Sequence, residues 1–144
     1  MTVRFEEQPI QDIEKKDLVA QVAQLRKDGY RLGQICATTL TENFEITYCF
    51  DKDYKMVSLR LMVPRADAVV PSITGEYFAA FTYENELQDL FGMKVTDLKL
   101  DFGGKFYQLA KKTPFNETKA EAVANAAAAT QAIQTKPANA GEVK

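Results

Sequence analysis

Hydrophobic and polar residues alternate most regularly in the middle of the chain. In FEITYCFD (44–51), Phe44, Ile46, Tyr48 and Phe50 share one face, while Glu45, Thr47 and Cys49 share the other. MVSLRLMV (56–63) sets Val57, Leu59, Leu61 and Val63 together with Arg60 opposite, and Pro64 ends the run. RLGQICATTLT (31–41) gains β-branched residues toward its end. These runs predict three successive strands. AVVPSIT predicts a short fourth strand, which Pro71 restricts to an edge or an end.

Helical spacing brackets these strands. Ile13, Leu18, Val22 and Leu25 predict a first helix over 12–28, sharpest in DLVAQVAQLRKDG. Asp17 is a candidate cap for a start at Leu18, and Gly29 is the stop. A second helix is predicted from Gly75 to Phe91, closed by Gly92 in a left-handed conformation. KVTDLKLDF and KFYQLA then flank Gly103-Gly104, which predicts a hairpin. The order of elements gives an α+β class with two layers over residues 1–115. From 116 to 144, ten of 29 residues are alanine, aromatics are absent, and Pro137 and Gly141 appear near the end. This segment reads as an Ala-rich flexible tail, with helix favoured locally over 118–134.

Composition narrows the chemistry. The 144 residues suit one domain with a modest core, and a net charge of −2 gives no general attraction to nucleic acid or anionic membrane. No apolar run is long enough to span a bilayer. MTVRFEEQPIQD lacks the basic-then-apolar layout of a secretory signal, so a cytoplasmic location is expected. There is no histidine, and two cysteines cannot supply the four thiolates of an iron–sulfur cluster or a zinc site. A two-residue turn at Glu42-Asn43 would set Cys36 opposite Cys49, and two buried, reduced thiols are expected. No glycine pattern forms a phosphate loop, and Lys111-Lys112 reads as a solvated pair.

The stretch YENELQDLFG (83–92) is less easily accounted for. It puts Glu84, Glu86 and Asp89 in the half of a helix where partial negative charge disfavours acids. On a helical wheel Glu84 falls among Tyr77, Ala80, Leu87 and Phe91, whereas Glu86 and Asp89 fall on the opposite side. A buried Glu84 needs a partner: Arg60, Arg65, a backbone turn or an arginine of another subunit. If that partner is an ion pair, Glu84→Gln costs about 3–5 kcal/mol and exceeds Glu86→Gln. Three readings stay open from the helix alone: a solvated acidic face, a catalytic pair of Glu86 and Asp89, and a docking surface for a basic partner.

The pattern E-x-E-x-x-D-L-F-G, formed by Glu84, Glu86, Asp89, Leu90, Phe91 and Gly92, resembles the signature of the C-subunit family of respiratory complex I. Pro71-Ser72 before the helix belongs to the same pattern. GYRLGQICAT, YENELQDLFG and DFGGKFYQLAKKTPF look more like the small subunits of energy-converting [NiFe] hydrogenases of the Ech type, which are relatives of that family. Asn85 stands where complex I proteins usually carry arginine, and the His-Pro and paired-arginine segment that follows there is absent. The resemblance, over roughly 15–115, implies a mixed sheet flanked by two helices. It also implies a non-catalytic subunit of a hydrophilic arm, peripheral on the inner face of the cell membrane. The implied partners are the hydrogenase large subunit and a small iron–sulfur subunit. The [NiFe] centre and the clusters would sit in those partners, and this chain would bind no cofactor. The motif residues would be structural or line an interface, in a complex coupling hydrogen chemistry to ion translocation. The same-family alternative is the equivalent subunit of an NADH- or ferredoxin-linked quinone oxidoreductase. From other classes, a stand-alone enzyme or an adaptor using the acidic helix remains open.

Overall fold

The computed structural model describes residues 7–134. The end of the tail, with Pro137 and Gly141, lies outside the described residues. In chain order the elements are β1 (Ile10–Ile13), α1 (Leu18–Lys27), β2 (Arg31–Thr39), β3 (Asn43–Lys52), β4 (Lys55–Pro64), β5 (Val69–Pro71), α2 (Ala80–Phe91), β6 (Lys94–Thr96) and α3 (Lys119–Gln134). β1 to β4 form a mixed sheet in the order β1-β4-β3-β2, antiparallel except for the β1–β4 pair.

The alternation of β3 and β4 decides which face is buried. Phe44 lies opposite Val63, Ile46 opposite Leu61 and Tyr48 opposite Leu59, and all six are buried. Leu18 and Val22 of α1 and Ala80 and Leu87 of α2 join the same cluster, so both helices cover this one face. The other face carries Glu45, Thr47 and Arg60, with Arg60 and Glu45 paired at 3.6 Å.

Several expectations are corrected. The predicted first helix began too early: residues 10–13 are a strand, and α1 starts at Leu18. β4 has an edge whose backbone groups need partners; its Ser58 N–H bonds the Pro9 carbonyl at 3.0 Å, and Ile13 lands opposite Leu61 against the core. Asp17 occupies the cap position of α1 but its side chain makes no capping bond. Gly29 does end the helix: its N–H bonds the Arg26 carbonyl and the Tyr30 N–H bonds the Leu25 carbonyl, a Schellman arrangement.

The β2–β3 connection is longer than two residues. Thr39 lies opposite Phe44, and Leu40 N–H bonds the Asn43 carbonyl at 2.8 Å. The register therefore moves by two, which preserves the faces but separates the cysteines. Cys36 lies opposite Thr47 and Cys49 opposite Gln34. Both are free thiols; Cys49 is buried as expected, whereas Cys36 is exposed.

The strand predicted in AVVPSIT is β5, which pairs in parallel with β6 in a separate two-stranded sheet. α2 begins at Ala80 rather than Gly75, because the preceding residues form a turn in which Glu76 and Tyr77 N–H groups both bond the Ile73 carbonyl. The hairpin at Gly103-Gly104 is absent among the described residues. Strand pairing stops at Thr96, and residues 97–118 form an irregular strap along α2. Thr118 opens α3 with a capping box: its hydroxyl accepts the Glu121 N–H at 3.2 Å, and Glu121 accepts the Thr118 N–H at 2.6 Å. Arg65 ties this junction to the domain by donating to the carbonyls of Thr41 (2.9 Å) and Asn116 (2.6 Å).

Candidate functional site

Five polar side chains in α2, Glu84, Asn85, Glu86, Gln88 and Asp89, all bond to chain segments outside the helix. A helix alone would be better without these acids. They remain because other segments bring hydrogen-bond donors to them.

Glu84 is 1% exposed, as its place in the apolar arc requires. Its partners are the Ser72 hydroxyl, which donates to Oε2 at 2.6 Å, and the Ile73 N–H, which donates to Oε1 at 2.7 Å. Of the candidates, the backbone turn is therefore the one used, and neither Arg60 nor Arg65 reaches it. The ion-pair magnitude expected for Glu84→Gln consequently does not apply. Burial pushes the carboxyl up to about 6, against the opposing pull of the Ser72 and Ile73 hydrogen bonds. The network continues through Ser72 and Thr74, whose hydroxyls are 2.5 Å apart, to the Lys99 N–H, which donates to Thr74 Oγ1 at 3.1 Å. One carboxyl thus links the end of β5, the helix and the start of the strap.

Asn85 is wholly buried and uses both ends of its amide. Nδ2 donates to the carbonyls of Phe81 (2.7 Å) and Leu100 (2.8 Å), and Oδ1 accepts the Phe102 N–H at 2.9 Å. Gln88 donates to Asp101 at 2.9 Å. Asp89 was expected to face outward; it is instead 4% exposed, because the strap closes over it. Its Oδ2 accepts the Tyr107 N–H at 2.8 Å, while Oδ1 has no partner among the described residues. Glu86 is part-exposed as expected, and it accepts the Tyr107 hydroxyl, a bond that pushes the Tyr107 pKa up.

The rest of the motif holds the far end of the strap. The Leu90 carbonyl accepts the Phe115 N–H at 2.8 Å. The Phe91 ring packs edge-on against Phe44 and Phe115, with centroids 6.1 and 5.6 Å apart. Gly92 takes φ 73° and bonds the Gln88 carbonyl through its N–H, as predicted for the stop. A half-open cavity of about 260 Å³ lies between helix and strap, lined by Gln88, Asp89, Gly104, Tyr107, Leu109, Lys112 and Thr113. The strap turns large apolar side chains outward: Leu100, Phe102, Tyr107, Leu109 and Phe115 are 37–53% exposed.

Glu86 and Asp89, the pair considered for acid–base work, are engaged separately: Asp89 accepts a backbone N–H and Glu86 a phenol hydroxyl. Sequence reasoning passed over Thr74; it noted Asn85 and Ser72 only as parts of the motif's pattern and Arg65 only as a partner for Glu84, and gave none of them the role it has here. The capping-box spacing of Thr118 and Glu121 was visible in the sequence, but the backbone donors of the strap carry no residue signature.

Known proteins share this architecture. The chain matches the family described as respiratory-chain NADH dehydrogenase, 30 Kd subunit, over residues 11–100. The C subunit of the NADH-quinone oxidoreductase of Ruegeria pomeroyi is 34% identical over 117 residues, covering 72% of this chain and 58% of that protein. Its counterpart from Dinoroseobacter shibae is 35% identical over 80 residues, covering 51% of this chain and 37% of that protein. The chain thus spans less than two thirds of the length of either relative. A chain of the membrane-bound sulfane sulfur reductase, an archaeal respiratory membrane complex, shares the fold with a TM-score of 0.71 at 14% identity, covering 99% of this chain and 89% of that one. The trypsin-resistant fragment of Nqo5 gives a TM-score of 0.58 at 21% identity, covering 63% of this chain and 80% of the fragment. With more than half of its length matched, and the motif helix within the match, the chain belongs to the 30 kDa subunit family of respiratory-chain NADH dehydrogenases.

Proposed function

We propose that this protein is a non-catalytic assembly subunit in the hydrophilic arm of a membrane-bound, energy-converting [NiFe] hydrogenase, packed against the catalytic large subunit. One observation carries the reading. The carboxyl groups of the motif bind backbone and hydroxyl donors, and the strap they hold presents large apolar side chains to the surface. Such an arrangement suits docking rather than chemistry. The [NiFe] centre and iron–sulfur clusters would belong to partner subunits, as expected for a chain with no histidine and two cysteines. Attachment to the inner face of the membrane would come through the complex; no helix among the described residues is long and apolar enough to cross a bilayer. The near-complete overlap with a chain of a respiratory membrane complex supports this, as does Asn85, which is buried and hydrogen-bonded at the position where the quinone-linked pattern carries arginine.

The second reading, the equivalent subunit of an NADH- or ferredoxin-linked quinone oxidoreductase, draws on the 34–35% identity to the two NADH-quinone oxidoreductase proteins. Purification of the tagged chain from native membranes in gentle detergent, followed by mass spectrometry and a hydrogen-evolution assay, separates the two. Co-purification of a large subunit with two CxxC motifs and hydrogenase activity is expected. A complex without that activity favours the oxidoreductase, and a chain recovered alone refutes both.

A further inference from the structure

The hairpin that joins β3 to β4 is built against its own stability. Asp53 and Tyr54 are its central residues, with φ of 50° and 63°, the pattern of a type I′ turn. Aspartate tolerates that conformation. Tyr54 stands where such turns take glycine, and a bulky side chain at positive φ is strained. Tyr54 is also 95% exposed, with no hydrogen bond or ring contact among the described residues. Lys52 and Lys55 close the turn directly opposite each other, a like-charge pair that weakens a hairpin. Lys52 bends away: its Nζ donates to the Asp28 carbonyl at 2.6 Å and lies 5.9 Å from the centroid of Tyr30. Lys55 is exposed, and its side chain has no hydrogen-bond or ion-pair partner among the described residues.

Each of these features becomes favourable once a partner covers the tip. A tyrosine ring is a frequent anchor of interfaces, being large, with few rotatable bonds and a hydroxyl that can donate. The phenol needs an acceptor and Lys55 an anion, so a carboxylate beside an apolar slot serves both. The acids of the chain itself do not fill that role. Asp51 is held by Arg31 through contacts of 2.7–2.9 Å, and Asp53 bonds neither Tyr54 nor Lys55. An anionic bilayer fits less well, because electrostatic attachment needs several clustered basic residues, and Asp53 shares the turn with Lys55. We infer that the β3–β4 hairpin is a docking prong whose Tyr54 ring enters an apolar slot of a partner polypeptide, where a carboxylate of the partner receives Lys55 and the phenol. The prong deepens the proposed assembly role and rests on it. It adds a contact about 30 Å along β3 from Asn43, the end near which Arg65 ties the α3 junction.

The test expresses wild type and variant together in the native cell, both full length and each with its own tag. Membranes are solubilised in gentle detergent, and the partner subunits recovered per mole of bait are compared between the two tags by mass spectrometry. Tyr54→Gly is expected to recover roughly tenfold less partner than wild type. The isolated variant should nevertheless melt no earlier, since glycine takes the positive φ without strain. Tyr54→Phe keeps the ring and should retain most of the recovery. Lys55→Glu should lose recovery severalfold, although it gives Lys52 an opposite charge across the hairpin. Undiminished recovery with Tyr54→Gly would overturn the prong. So would an early-melting Tyr54→Gly, because Tyr54 would then serve the fold. A wild-type dimer in sedimentation that Tyr54→Gly abolishes would assign the tip to a second copy instead. Vesicles of anionic phospholipid that bind wild type but not Tyr54→Gly would assign it to the bilayer; either result overturns a partner polypeptide. Equal recovery by Tyr54→Gly beside a wild type that carries partners defeats the prong alone. A wild type that carries none defeats the docking reading, and the prong with it.

Discussion

Glu84→Gln replaces a buried carboxyl by a neutral amide of the same shape, and the structure sets both the sign and the size of the effect. Glu84 is 1% exposed, accepts two hydrogen bonds and faces no cation. Burial raises its carboxyl from the ordinary value of 4.5 to about 6. The folded-state value lies above the unfolded one, so the folded protein binds the extra proton between them. Stability therefore falls as pH rises from about 4.5 through about 6. That gap corresponds to roughly 2 kcal/mol, a standing cost at neutral pH. Glutamine carries no such cost. Its carbonyl can still accept the Ile73 N–H, but its NH₂ must donate to Ser72, which forces the Ser72–Thr74 hydroxyl pair to reverse at about 1 kcal/mol. Urea unfolding of both chains between about pH 4 and pH 7.5, followed by circular dichroism, isolates the term as a difference. The wild type should lose about 2 kcal/mol relative to the variant across that range. A difference that does not change with pH would refute the reasoning. A wild type that gains on the variant with rising pH would mean that a cation pairs with Glu84.

Three further changes test other parts of the architecture. Tyr48 is wholly buried and its hydroxyl has no partner among the described residues, so Tyr48→Phe should leave thermal stability unchanged or raise it by about 1 kcal/mol; a clear loss would reveal a hidden bond. Asn85→Ala strands the Phe102 N–H and the Leu100 carbonyl and should cost about 2–4 kcal/mol, read as lost hydrogen-exchange protection at Phe102 with β3 and β4 still protected. Arg65→Ala removes the donor to the Asn116 and Thr41 carbonyls and should expose the junction before α3 to proteolysis while leaving the sheet's urea midpoint within about 1 kcal/mol of wild type.

The sequence by itself determined the sheet's core face, both helix stops and the burial of Glu84. Each rests on a short-range rule. Alternation in 44–51 and 56–63 allows one buried face only, Gly29 and Gly92 take positive φ at helix ends without steric cost, and the helical period places Glu84 among Ala80 and Leu87. The signature around Glu84, Glu86 and Asp89 was legible too, and with it the family. What the sequence could not supply was the identity of distant partners. Residues 10–13 became a strand because β4 offered an open edge, although Ile13 also fits a helical spacing with later residues. The cysteine register turned on two residues of loop length that no pattern encodes. Asp89 was expected outside because a helical wheel knows only its own helix, whereas the strap that buries it arrives from eighteen residues further along. Its donor is the backbone N–H of Tyr107, a group every residue but proline carries, so only the tertiary structure could decide which of them an acid on α2 would hold.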